Sequence, residues 1–153
     1  MIGLDPAWRN IIPSARRCSR EGLRNAWFVC ASAEHPPEEL LGLADEVFVQ
    51  MPWGRLLSGV VLGSPDICVG LRSLARTGAT LRVVVGAGIW RAPVPKEIRE
   101  LPELTVSYVE STLASRLAEH GWKVTDFGAC TDPATSWGRR LGTDLVELRA
   151  EAV

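Results

Sequence analysis

Apolar positions in this chain fall into short runs separated by stretches of helical spacing. Val47, Phe48 and Val49 lead into Gln50, and the run stops at Met51-Pro52-Trp53-Gly54. Such a pattern predicts a strand over Asp45–Gln50 that ends abruptly, because Pro52 has no N–H for a ladder and Gly54 permits a sharp turn. Leu56, Leu57, Val60 and Val61 then recur at the helical period. Ser64-Pro65-Asp66 reads as a helix start, with Ile67, Leu71 and Leu74 on its inner face and an end near Gly78. Thr80–Val85 is β-branched and apolar and reads as a strand. Thr105–His120 is amphipathic through Val106, Val109, Leu113 and Leu117, and stops at Gly121. Trp122–Phe127 alternates as a strand, and Asp144–Ala150 reads as the last one.

The first third is less regular. Met1–Asp5 reads as the end of a strand closed by an acid, with Pro6 opening a helix that Pro13 should break or kink. Asp5 suits either the hydroxyls of a ribose or a plain helix cap. Asn25–Ala31 reads as a buried strand followed by Ser32-Ala33-Glu34, which suits a flat adenine or any tight loop. A short helix is expected over residues 37–41. Alternating strands and helices indicate an α/β sheet of doubly wound type, in one domain.

Composition narrows the function classes. The 153 residues are 46% hydrophobic with a net charge of −1, so no global field draws the protein toward nucleic acid. Locally the picture differs: Arg9, Arg16, Arg17, Arg20 and Arg24 face only Asp5 and Glu21 within residues 1–25. Those arginines form either a solvated helix face or a phosphate-docking one. Cys18, Cys30, Cys68 and Cys130 are scattered, which reads as free core thiols with no metal site. No leader-like segment and no apolar run of about 18 residues is present, so a cytoplasmic protein without a membrane span is expected.

Candidate chemistry gathers at strand ends. Ligands of open α/β sheets collect at the carboxyl ends of strands, and Trp53 is placed there either to stack on a planar ligand or to cap the core. Val85-Gly86-Ala87-Gly88 imitates a dinucleotide fingerprint, but Arg91, Pro93 and Pro95 remove the third glycine and the helix it needs. Residues 88–104 are expected instead to be a long excursion.

Several stretches in order resemble one family, the 16S rRNA (adenine-1408, N1) methyltransferases of aminoglycoside resistance. They are Gly3-Leu4-Asp5, Arg20-Glu21-Gly22-Leu23 with Asn25, Ala31-Ser32-Ala33-Glu34, Met51-Pro52-Trp53-Gly54, Trp90-Arg91, Gly121-Trp122-Lys123 and Ser136-Trp137 with Arg139-Arg140-Leu141. The resemblance implies a Rossmann-like methyltransferase sheet that uses S-adenosylmethionine and docks on the 30S subunit. It implies that Trp53 and Trp137 sandwich a flipped adenine. Asp5 would meet the cofactor ribose, and Ala33, Glu34 and Thr135 would complete the cofactor set. Arg16, Arg17, Arg20, Arg139 and Arg140 would contact rRNA.

The resemblance also implies a first strand and a glycine-rich loop ahead of the segment that begins here at Met1. On that basis the sheet is expected to be N-terminally truncated, with unpaired strand edges that could pair two copies into a homodimer, and with weakened cofactor binding. Arg55 replaces a small hydroxyl residue, Gln50 an apolar one, and the stretch after Leu141 is short. The alternative reading is an inactive homologue serving as an rRNA-binding or dimerising module.

Overall fold

The computed structural model describes residues 1–91, 93–130 and 145–153. Strand β1 (Ile2–Leu4) leads to helix α1 (Trp8–Arg20) and strand β2 (Trp27–Val29). Strand β3 (Ala44–Gln50) is followed by helices α2 (Gly54–Leu62) and α3 (Pro65–Leu74), and then by strand β4 (Ala75–Gly86). A short helix α4 (Lys96–Arg99) precedes helix α5 (residues 106–118), whose middle turn Val109–Leu113 is π-helical. Strands β5 (Trp122–Ala129) and β6 (Leu145–Ala152) finish the chain.

Two separate sheets result. β1 and β2 pair in parallel, while the larger sheet has the order β3-β4-β6-β5, parallel between β3 and β4 and antiparallel thereafter. Among the described residues, one edge of β1 and one edge of β3 have no strand beside them. The fold is α/β and Rossmann-like, and its sheet is interrupted between β1 and β3, where unpaired edges are expected from the sequence.

The core lies on one face of the larger sheet. Ala79, Leu81, Val83 and Val85 of β4 point into it, against Leu57 and Val61 of α2, Ile67 and Leu71 of α3, and Val109, Leu113 and Leu117 of α5. Trp122 is fully buried there and donates its indole N–H to the Cys68 carbonyl at 3.2 Å. By contrast, residues 1–46 contain no buried residue. A groove of about 600 Å³ runs between α1 and β2, lined by Ile11, Ala15, Leu23, Trp27 and Phe28.

Several expectations need correction. Pro13 does not end α1; the helix runs through it and begins at Trp8 rather than Pro6. Nothing in α1 is buried, so the carbonyl that Pro13 leaves without a donor can turn to water. β2 is shorter than expected and not buried, with Trp27 58% exposed. α3 stops at Leu74 and the chain turns straight into β4, whose bulge near Gly78 (φ 80°) had read as a helix end. Only Cys68 is a core thiol; burial pushes it up to about 11. The excursion after Gly86 is anchored by Ile89, Ile98 and Leu104 in the core and by the Trp90 indole donating to the Leu101 carbonyl at 3.1 Å. No single helix among the described residues is long and apolar enough to cross a membrane.

Candidate functional site at the carboxyl ends of the strands

The site is built on the corner after β3. Met51 still donates its N–H to the Val84 carbonyl at 2.8 Å, but its φ is 48°. No other non-glycine residue among those described has a positive φ. Pro52 is buried and forbids further pairing, and Gly54 has a φ of 56°. Between them Trp53 takes an extended conformation (φ −136°, ψ 161°) at the start of α2 and is 55% exposed. It is therefore not a core residue. It stands in solvent at the carboxyl end of a strand that buries only Val47 and Val49.

Two carboxylates mark the neighbouring strand ends. Asp5 follows β1 directly. Its Oδ1 accepts from the Ala7 N–H at 2.7 Å, and both oxygens accept from the Asn10 amide at 3.1–3.2 Å. It thus orders the entry to α1 without being the formal cap, and it keeps lone pairs for a further donor. Glu34 lies in the turn after β2, only 14% exposed. That turn is seated on α3 at Gly70, where a Cβ would stand 1.9 Å from the Ala33 carbonyl oxygen. No side chain fits there, so glycine is what lets the turn approach.

Arg55 joins these parts. Its Nε meets Glu34 Oε1 at 2.9 Å and its Nη2 meets Asp66 Oδ2 at 2.5 Å. The hydrogen bond from Arg55 holds the Asp66 carboxyl below its ordinary value, and Asp66 raises the guanidinium in turn. The ends of β2 and β3 are thereby brought to one place.

On α1, Arg16, Arg17 and Arg20 are exposed, and Arg17 pairs with Glu21 at 2.8 Å. Thr135, Trp137, Arg139 and Arg140 lie outside the described residues, so the structure brings together Trp53, Ala33 and Glu34 of the expected set, with Asp5 at the adjacent strand end.

One cluster was not anticipated. Glu147 of β6, 7% exposed, accepts from the Nε atoms of Arg82 and Arg149, each at 2.7 Å, and Arg82 lies 4.8 Å from the Phe48 ring centre. Burial works to raise the Glu147 carboxyl, but the bonds from Arg82 and Arg149 outweigh it and bring it to about 2. Arg82 and Glu147, each set within an otherwise apolar run of its strand, were the available signal.

The comparisons bear on what this corner serves. A family described as NpmA: 16S rRNA (adenine(1408)-N(1))-methyltransferase matches residues 1–152. The chain belongs to this family. A methyltransferase of that name from Streptoalloteichus hindustanus is 39% identical over 135 residues, covering 85% of this chain and 61% of the relative. An rRNA methyltransferase of Saccharopolyspora hirsuta is also 39% identical, covering 83% of each chain. The crystal structure of the 16S rRNA (adenine(1408)-N(1))-methyltransferase from Catenulisporales acidiphilia superposes with a TM-score of 0.88 at 46% identity, covering 99% of this chain and 76% of that one. A tryptophan-to-alanine mutant of that enzyme was solved with its cosubstrate SAM (TM-score 0.89, 44% identity, 99% and 74% covered). This NpmA-family chain thus spans about three fifths of the length of the S. hindustanus relative.

A nucleoside cosubstrate fits the residues present. Two carboxylates at adjacent strand ends, Asp5 and Glu34, have acceptor capacity that could take hydroxyls and an exocyclic amine.

Proposed function

We propose that this chain carries out S-adenosylmethionine-dependent methylation of N1 of adenine 1408 in 16S rRNA of the 30S subunit, as its relatives are named to do, with residues 1–153 acting as one methyltransferase-like domain. The observation that carries the reading is the solvent-facing Trp53 on a corner tied through Arg55 to the Glu34 turn. The cosubstrate supplies an electrophilic methyl group. Asp5 and Glu34 bind and orient its nucleoside, with Ala33 and Thr135 beside them. Trp53, with Trp137 as its partner, holds the flipped base so that the N1 lone pair is aimed at the methyl; that nitrogen is free in neutral adenine, so positioning does the work and no general base is needed. The methylated base is cationic, and indole faces favour it by about 1–2 kcal/mol when water is excluded. Arg16, Arg17 and Arg20, joined by Arg139 and Arg140, contact rRNA phosphates in the cytoplasm.

The test is methyl transfer to purified 30S subunits from labelled S-adenosylmethionine. Trp53→Ala should lower transfer about 100-fold, near the upper value of one stacked base, while association with the subunit is unchanged. Equal loss of transfer and association would refute the stacking role. Arg16→Glu with Arg17→Glu should instead weaken 30S pelleting, and pelleting of the parent should fall steeply with salt.

A second reading, a non-catalytic module that self-associates, is favoured by the open edges of β1 and β3. Calorimetry with the cosubstrate separates it from the first, because only the enzyme reading expects heat.

A further inference from the structure

Arg55 occupies an unusual place. It leaves the first turn of α2 two residues after Trp53, reaches Glu34 in the turn after β2 with one nitrogen, and reaches Asp66 in the first turn of α3 with another. One guanidinium therefore ties its own helix α2 to two other segments, the turn after β2 and the start of α3. Both acids are held from elsewhere as well: Asp66 Oδ1 accepts the Ile67 N–H at 3.0 Å, and the backbone at Glu34 rests on Gly70 of α3. A planar fork fixes the direction of the carboxylates it meets, which a point-charge ammonium does not. Arg55 itself is 73% exposed, so its ion pairs add little to global stability. Their effect is geometric.

We propose that Arg55 is a positioning residue that locks the Ala33–Glu34 turn and the Trp53 corner into one unit, so that a nucleoside amine accepted by Glu34 also steadies the aromatic platform for the target base. The inference rests on the reading of Glu34 and Trp53 given above. The pairing engages Glu34 through Oε1, and the carboxylate has lone pairs beyond that one for an incoming amine. Because the acid is mostly covered, Arg55 also keeps its charge compensated when a ligand covers it further.

The experiment compares the full chain with Arg55→Ser and Arg55→Lys. Amide hydrogen exchange without ligand should rise about tenfold over residues 31–36 in Arg55→Ser, and less in Arg55→Lys, while the thermal midpoint stays within a degree or so. Titration with S-adenosylhomocysteine should show about tenfold weaker binding in Arg55→Ser, as expected from lost preorganisation. The same ligand should slow exchange over residues 52–57 in the parent and fail to do so in Arg55→Ser. Unchanged exchange over 31–36 in Arg55→Ser overturns the proposal whether or not the ligand binds, and so does equal ligand affinity in all three proteins. Faster exchange in Arg55→Ser, with no heat from any protein, supports the lock and refutes the cosubstrate reading instead.

Discussion

At Met51 the backbone is held at a φ of 48°, in a region that costs a side-chain-bearing residue on the order of 1–3 kcal/mol. Two residues later Trp53 stands in solvent. The strained residue and the exposed ring belong to one device: the chain must turn sharply after β3 to present the indole outward. Gly70 is the counterpart on α3. Gly70→Ala would drive a methyl into the Ala33 carbonyl, so the turn must shift. The expected outcome is a loss of about 1–3 kcal/mol by urea unfolding, together with faster exchange at Ala33 and Glu34. Pro-Trp-Gly made the corner readable from the sequence, since each residue acts on its own backbone. The grip of Arg55 on Glu34 and Asp66 was not readable, because it depends on how three segments pack. Nor was the need for glycine at position 70, which exists only once the turn lies on the helix.

Helices show the same division. α2 was legible from Leu56, Leu57, Val60 and Val61, and its end is marked by Gly63. What closes that end comes from α5: the Tyr108 hydroxyl donates to the Val61 carbonyl at 3.0 Å and Arg116 Nη1 to the Leu62 carbonyl at 2.8 Å. Orphan carbonyls at a helix terminus need such partners. Tyr108→Phe should therefore destabilise the protein by about 1 kcal/mol, checked by thermal unfolding. Arg116→Ala should cost less, because Arg116 is exposed and water can replace it. α1 misled the sequence reading through Pro13. Its effect on a helix depends on whether the freed carbonyl is buried, and here the helix has no buried side chain to force the issue.

Across the whole molecule, the order β3-β4-β6-β5 was legible as a class, while its separation from β1-β2 followed from the family resemblance and not from any local pattern. Open edges of β1 and β3 predict concentration-dependent self-association, to be read by sedimentation velocity. Glu147 gives the larger sheet a pH dependence. Its carboxyl lies near 2 in the folded protein against an ordinary 4.5, so its stabilising share is complete above pH 4.5 and is lost as pH falls toward 2. Urea midpoints of the parent should drop across that interval, and Glu147→Gln should lose that part of the slope while costing about 2–3 kcal/mol at neutral pH, because Arg82 keeps only part of its solvent.

Residues 1–46 hold both carboxylates proposed to meet the nucleoside, yet contain no fully buried residue, only Leu4, Ala33, Leu40 and Ala44 packed partly against the core. On that proposal, recognition is mounted on the segment with the least buried packing of its own. Measured affinity would then be the intrinsic affinity multiplied by the fraction of molecules in which that segment is docked. A trypsin digest should cut first at the arginines of α1, and a saturating nucleoside should slow that cut more than any cleavage beyond Ala44.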